Sequence, residues 1–225
     1  MLSYFTLGIT AETICFLTAL ICLTKDVSLP WRIMVLFLFI ICVTEMFGLH
    51  FKRLYLADRA HVRPNVWLYN ILLIFQASFI SYMFDYLLSK FVNIKPFIVS
   101  GLALLTILYV YEIWSHGVFV YNETTNTVML ILFVLYSLYY YYHLLKDDKY
   151  VRLIYSADFW WVAGLLFFYF GSTACDIFFS NIPQEKAKAL GNLNSSIFKA
   201  LNVILYGCWS YSFICRKWLT TTSVA

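Results

Sequence analysis

Seven long apolar segments dominate the sequence, and each can cross a lipid bilayer as an α-helix. A spanning helix needs about 20 apolar residues, because the rise is about 1.5 Å per residue and the hydrocarbon core is about 30 Å thick. In chain order the segments are Leu2–Leu23, Trp31–Phe51, Asn65–Leu88, Phe97–Tyr111, Thr127–Leu145, Phe159–Phe179 and Leu193–Phe213. The connections are too short to hold a second domain. We therefore predict an all-α fold in which residues 1–225 form a single domain, a bundle of seven transmembrane helices.

The amino-acid composition argues against a water-soluble fold, because a soluble domain of this size could not bury so much apolar surface. Hydrophobic residues make up 62% of the 225 residues and charged residues only 12%, whereas soluble domains have about 25% charged residues. The net charge of +4 is spread over short runs between the apolar segments, which argues against a nucleic-acid partner. The expected partner is the lipid bilayer, and the sequence leaves open whether the chain forms a homo-oligomer.

The distribution of basic residues predicts the orientation of the bundle, because Lys and Arg are enriched on the cytoplasmic side. With alternate connections grouped, one side holds nine: Lys25, Arg32, Lys90, Lys95, Lys146, Lys149, Arg152, Arg216 and Lys217. The other side holds six: Lys52, Arg53, Arg59, Arg63, Lys186 and Lys188. We therefore predict that the N-terminus is outside and the C-terminus inside. The four basic residues of the second connection oppose this assignment, whereas a fourth connection without Lys or Arg supports it.

A few ionisable and amide side chains lie inside the predicted helices, where a charge costs on the order of 2.5–3.5 kcal/mol unless it finds a partner or water. Six of them are predicted to form a ligand-binding pocket in the outer half of the bundle: Glu45, His50, Asn70, Asp176, Lys199 and Asn202. Three others could continue as a polar path toward the inner face: Glu12, Gln76 and Asp85.

Lys199 is the most informative of these residues. Lys199, Asn202 and Tyr206 recur at i, i+3 and i+7, so they share one face of the seventh helix. We expect the Lys199 ammonium to pair with Asp176 or Glu45, an arrangement that can bind an anion or a proton. Two structural interpretations stay open. The lysine can extend its side chain to the membrane surface, and the uncharged polar residues can join helices by hydrogen bonds.

No enzymatic activity, metal or cofactor is predicted. A zinc site needs about three ligands at one depth, but the four histidines are spread over both ends of the bundle: His50, His61, His116 and His143. No nucleophile-elbow, zinc-protease or phosphate-loop motif occurs, and the six cysteines form no C-x-x-C pair. A retinal Schiff base on Lys199 is also disfavoured, because Asp85, its candidate counter-ion, is predicted at the opposite end of the bundle.

Three stretches of the sequence resemble a group of small, largely uncharacterised seven-helix integral membrane proteins of Bacteroidetes. They are Pro64–Phe79 (PNVWLYNILLIFQASF), Asp158–Ser172 (DFWWVAGLLFFYFGS) and Leu201–Trp218 (LNVILYGCWSYSFICRKW). The similarity is one of pattern over most of the chain rather than of a catalytic motif. It implies a multi-pass protein of a bacterial cytoplasmic membrane that looks like the membrane parts seen beside signalling modules. The resemblance implies no particular activity.

Two functional hypotheses follow. The preferred one is a receptor-like or accessory sensor that binds a small ligand or ion in the outer pocket and signals to a cytoplasmic or membrane partner. The alternative is a small transporter or channel for a polar solute or a proton. Interrupted helices, which many transporters use, could arise at Gly164 and Gly171. The prolines offer no such break, because they lie in connections or at helix starts: Pro30, Pro64, Pro96 and Pro183.

Overall fold

The computed structural model describes the backbone of residues 7–58, 63–147, 152–180 and 184–219. These ranges contain seven α-helices, a 3-10 turn at Leu153–Tyr155 and a π-helical turn at Cys215–Leu219, and no β-strand. The helices are α1 (Leu7–Leu23), α2 (Leu29–Ala57), α3 (Val66–Leu88), α4 (Lys95–His116), α5 (Glu123–Lys146), α6 (Ala157–Ser180) and α7 (Gln184–Ile214). Each apolar segment corresponds to one helix, so the predicted all-α fold is confirmed.

Several helices extend beyond the apolar segments that predict them. The second helix continues past Phe51 to Ala57, and the seventh begins at Gln184 rather than Leu193. A helix satisfies its own backbone hydrogen bonds whether lipid or water surrounds it, so it does not have to end where the apolar residues end. The predicted connections over residues 52–64 and 181–192 are therefore wrong in part, because both contain helical turns. Residues 2–6 of the first predicted segment and Pro183 lie outside the described residues.

The helices have the length and surface of membrane-spanning elements. Six of them, α2 to α7, are long and apolar enough to cross a bilayer, and the apolar α1 has 17 residues, which is about 26 Å of helix. Their outward faces carry large exposed apolar side chains, such as Ile107, Val110 and Trp114 on α4. A continuous surface of this kind suits lipid rather than water. The chain is a multi-pass α-helical membrane protein.

The helices form a ring with one helix outside it. Neighbouring contacts run in the order α1, α2, α3, α5, α6, α7 and back to α1, while α4 packs against α3 and α5 from outside. We call the end where α1, α3, α5 and α7 begin the upper end of the bundle, and the opposite end the lower end. The upper end corresponds to the side that the basic residues predict to be outside.

Aromatic side chains fill the middle of the ring. Phe37 of α2 stacks on Phe79 of α3 with ring centroids 4.1 Å apart. Farther toward the lower end, Trp161 of α6 contacts Phe84 edge-on and lies parallel to Trp209 of α7 at 6.0 Å. Aromatic pairs in these geometries add to the stabilisation that comes from close packing. The interior of the ring is therefore a solid apolar core from its middle downward.

The sixth helix is continuous through both of its glycines. A Cβ atom at Gly164 would lie 3.0 Å from the Cβ of Cys208, and one at Gly171 would lie 2.6 Å from Leu201 Cδ2. Both glycines thus serve the close approach of α6 and α7, the role that small residues commonly have in membrane helix packing. The alternative that they interrupt the helix is wrong.

Polar contacts tie the seventh helix to the start of the bundle at the lower end. Arg216 donates two hydrogen bonds to the Asp26 carboxylate, from Nε at 2.9 Å and from an Nη at 3.2 Å. The neighbouring Lys217 Nζ donates to the carbonyl oxygen of Ile21 at 2.8 Å. Arg216 also lies over the ring of Trp31. We call the Asp26–Arg216 pair the lower clasp, because it joins α7 to the α1–α2 connection.

Candidate ligand-binding cavity

The upper half of the ring encloses a cavity of about 600 Å³. All six ring helices contribute to its wall, and α4 contributes nothing to it. Its floor is the top of the aromatic core, where Phe37, Ile80 and Trp209 line it. The polar side chains that line the wall are Glu12, Glu45, Tyr69, Gln76, Tyr121, Asn126, Ser172, Asp176, Lys199, Asn202 and Tyr206. A volume of this size is typical of sites for small organic molecules.

Most of the residues singled out in the sequence meet in this cavity. Four of the six predicted ligand-binding residues line it, namely Glu45, Asp176, Lys199 and Asn202. Glu12 and Gln76, which the sequence assigns to an inner path, line the same cavity. They come together because helices that alternate in direction bring the start of α1, the end of α2 and the end of α6 to one end of the bundle.

Asn70 does not line the cavity, because its side chain is hydrogen-bonded to the connection between α4 and α5. Its fully buried amide donates to the carbonyl oxygens of Val118 and Val120 at 2.9 and 2.8 Å. The backbone N–H of Asn122 in turn donates to Asn70 Oδ1 at 3.2 Å. The side chain is thus occupied by the α4–α5 connection, and the interpretation of Asn70 as a wall residue of the pocket is corrected.

His50 and Asp85 also lie away from the cavity. His50 is exposed near the end of α2 and contacts the neighbouring Phe51 ring edge-on. Asp85 lines a separate cleft of about 230 Å³ between α3 and α4, together with Lys95. This cleft shares no lining residue with the cavity, so Asp85 does not continue the polar wall that Glu12 and Gln76 begin. The predicted inner path therefore stops at the aromatic core.

The polar residues of the cavity divide into a mouth and a deep group. Asp176 and Lys199 are exposed and form the mouth, whereas Glu12 is 7% exposed and Ser172 3% exposed. Oε2 of Glu12 and Oγ of Ser172 form no hydrogen bond with any described residue. Burying a polar atom without a partner costs about 1–3 kcal/mol. These two atoms therefore mark the place where a ligand or water would bind.

Two carboxyl groups and two tyrosines form the centre of the deep group. The Tyr69 hydroxyl donates to Glu45 Oε2 at 3.3 Å. Glu12 lies close enough to Glu45 for the two carboxyl groups to interact electrostatically, and the Tyr206 side chain lies beside Glu12. The tyrosine on α3 can approach α2 because residue 48 is glycine, where a Cβ atom would lie 2.5 Å from the Tyr69 hydroxyl oxygen.

Lys199 stands at the mouth without the partner that the sequence predicts. It lines the cavity on the same face of α7 as Asn202 and Tyr206, but it forms no ion pair with another described residue. The expected pairing with Asp176 or Glu45 is therefore absent, and the ammonium is available to a ligand. The Tyr121 hydroxyl also lines the cavity, and because a tyrosine has an ordinary pKa of about 10, it stays protonated at neutral pH and can donate.

Glu112 has a structural role that the sequence did not predict. This buried carboxylate at the end of α4 accepts hydrogen bonds from the backbone N–H groups of Thr124 and Thr125 at 2.8 and 2.9 Å, and from the Thr125 hydroxyl at 2.6 Å. It therefore caps the first turn of α5, where unpaired N–H groups and the helix dipole favour an acceptor with negative charge. The sequence pattern that could have predicted this cap is an acidic residue shortly before Gly117, followed by a run typical of helix starts, Asn122 to Thr125.

The fold and the cavity together define a class of protein. It is a multi-pass α-helical membrane protein with a polar cavity at one end of the bundle and an apolar core beneath it. Within the described residues, no three His, Cys, Asp or Glu side chains form a group that could hold a metal ion. Comparison with protein-family models, with curated proteins and with solved structures finds no match to this chain.

Proposed function

We propose that this chain is a receptor-like protein of the bacterial cytoplasmic membrane that binds a small ligand in the upper cavity and signals to a cytoplasmic partner. The upper end faces outward in this proposal, with the N-terminus outside and the C-terminus inside. The sequence assigns nine Lys and Arg residues to the connections on the C-terminal side of the membrane and six to those on the other side, and this excess supports that orientation. A cytoplasmic partner is part of the proposal, because the described lower-end connections are short.

One observation carries the binding function. The cavity holds buried polar atoms without partners and an unpaired lysine at its mouth, yet it ends on a packed layer of aromatic rings. A cavity with a packed floor can hold a ligand, whereas a channel needs a path for ions or solutes from one end of the bundle to the other. Asp85, the residue that would have continued the path, lies in a separate cleft between α3 and α4 instead. The geometry thus favours binding over conduction.

The seventh helix is the element that would carry a signal. Lys199 and Tyr206 line the cavity, and the same helix ends in a π-helical turn that contains Arg216 of the lower clasp. Local π-helical turns are frequent at functional sites. A ligand that shifts α7 in the cavity would therefore disturb the clasp at the other end of the bundle.

Binding can be tested by thermal unfolding of the purified full chain in detergent across a library of small polar compounds. A compound that binds the folded state raises the midpoint by mass action, and Lys199→Met should lose that shift while its midpoint without ligand is unchanged. Lys95→Met is the matched control, because Lys95 lies outside the cavity. A shift that survives Lys199→Met, or a library without any hit, would contradict the proposal.

The same ligand should then be followed in sealed vesicles. A receptor leaves the internal concentration unchanged, whereas accumulation that depends on the protein would identify a transporter and overturn the receptor proposal. Co-purification from the native membrane, with and without the ligand, tests whether a partner binds the lower end.

A further inference from the structure

We infer that the ligand of the upper cavity is an elongated zwitterion, with its ammonium group held between Glu12 and Glu45 and its anionic group at Lys199. This inference rests on the proposed function of the cavity as a ligand site and names the chemical class of the ligand. The evidence for it is the charge, the depth and the shape of the cavity.

The charges that line the cavity are strongly unequal along its depth. Its carboxyl groups belong to Glu12, Glu45 and Asp176, and Lys199 is the one cation among the described lining residues. Two of the carboxyl groups lie together in the deep group, where none of the described lining residues is a lysine or arginine, while Lys199 stands at the mouth with Asp176. A ligand with a positive group at the deep end and a negative group that binds Lys199 would match these charges.

The deep end has the features of an ammonium site. Oε2 of Glu12 is buried without a partner, and Glu45 receives one described hydrogen bond, from Tyr69. An ammonium group has three N–H donors and no acceptor, so it can satisfy both carboxyl groups at once. Pairing in this way also offsets the cost of holding carboxylates inside a membrane protein. Charge-assisted hydrogen bonds of this type are among the strong ones.

Aromatic rings surround the deep end and fit the body of such a ligand. Phe37, Tyr206 and Trp209 line the cavity beside and below the carboxyl groups. An aromatic lining of this kind packs against the carbon chain of a ligand. A bare metal ion would leave most of the 600 Å³ unfilled, whereas an organic molecule of several carbons would occupy it.

The spacing along α7 sets the length of the ligand. Tyr206, which lies beside Glu12, follows Lys199 by seven residues, which is roughly 10 Å along the helix axis. An α-amino acid carries both charged groups on one carbon and cannot bridge that distance. A chain of about seven CH2 groups between amine and carboxylate can bridge it, so 8-aminooctanoate is the first probe, with octylamine and octanoate as probes that each lack one charge.

The test is isothermal titration of the purified full chain in detergent with these three probes. The wild-type protein should bind 8-aminooctanoate more tightly than either singly charged probe. Glu12→Gln and Glu45→Gln should each weaken 8-aminooctanoate and octylamine by at least about tenfold, without weakening octanoate. Lys199→Met should weaken 8-aminooctanoate and octanoate but leave octylamine binding intact. Asp85→Asn is the matched control and should change nothing, because Asp85 lies outside the cavity.

The inference and the proposed function can fail separately. If octanoate binds the wild-type protein as tightly as 8-aminooctanoate, or if both glutamine variants keep full affinity, the inference is overturned. If another compound from the library binds in a Lys199-dependent way while 8-aminooctanoate does not bind, the cavity remains a ligand site of another class. Gel filtration checks that each variant is folded. If Glu12→Gln does not fold, the affinities of Glu45→Gln decide whether the inference holds.

Discussion

Replacing Asp26 by asparagine tests the contact that holds the lower end of α7 against the α1–α2 connection. The Asp26 and Arg216 side chains are 11% and 23% exposed, and two hydrogen bonds join them. Exposed ion pairs contribute about 0–1 kcal/mol, whereas breaking a fully buried pair costs about 3–5 kcal/mol. This pair lies between those limits, so we expect Asp26→Asn to destabilise the folded protein by about 2 kcal/mol.

The assay is thermal unfolding in detergent, with a second variant as reference. A loss of about 2 kcal/mol corresponds to a fall in the midpoint of roughly 4–8 °C for a chain of this size. Asp158→Asn breaks a second ion pair at the lower end, between Asp158 and Lys90. The Asp158 side chain is 20% exposed and the Lys90 side chain is 39% exposed. That variant should lose less than about 1 kcal/mol. An equal loss in the two variants would contradict the reasoning from burial.

The effect of Asp26→Asn should also depend on pH. Burial alone would raise the pKa of Asp26, but the hydrogen bonds from Arg216 and from the Ser28 backbone N–H outweigh it and lower the pKa below its ordinary value. A carboxyl group with a lowered pKa stabilises the folded state above its unfolded pKa of about 4, and this contribution is lost as the pH falls through the lowered value. The difference between wild type and variant should therefore disappear in acid. A difference that persists there would refute the ionic origin of the stabilisation.

Two further predictions concern the upper end of the bundle. Gly48→Ala should displace the Tyr69 hydroxyl from Glu45, because the new Cβ would lie 2.5 Å from that oxygen. Titration should therefore find a ligand affinity that is several-fold lower than in the wild type. Gly207→Ala is the control and should keep full affinity, because the space around Gly207 is open. Glu112→Ala should lower the unfolding free energy by about 2–3 kcal/mol, since two backbone N–H groups of α5 lose their acceptor; a thermal midpoint equal to wild type would contradict this role.

The fold class could be predicted from the sequence because apolar length determines what can cross a membrane. Seven segments predict seven helices, and the structure confirms them. The helix ends could not be predicted in the same way, because the polar turns after Phe51 and before Leu193 remain helical outside the apolar segment. The hydropathy of a segment predicts which part of a helix lies in lipid, whereas the helix itself ends where its backbone hydrogen bonding ends.

The cavity could be predicted in part for a similar reason. Helical period and alternating direction are enough to bring Glu45, Asp176 and Lys199 to one end of the bundle. They do not reveal which polar side chain is already occupied, and Asn70 binds a connection about 50 residues farther along the chain. They also do not fix the rotation of each helix about its own axis, which places Asp85 in a cleft between α3 and α4. Those features depend on tertiary packing.

The proposed function requires that the upper cavity opens to the outside of the cell and is closed from below. Cysteine labelling in intact cells with a membrane-impermeant thiol reagent tests it most directly, with the parent protein and its six native cysteines as the baseline. Asp176→Cys, at the mouth of the cavity, should react from outside and should be protected by a bound ligand. Lys25→Cys, in the lower α1–α2 connection, should react only after the cells are permeabilised. Labelling of Lys25→Cys but not of Asp176→Cys in intact cells would contradict the account.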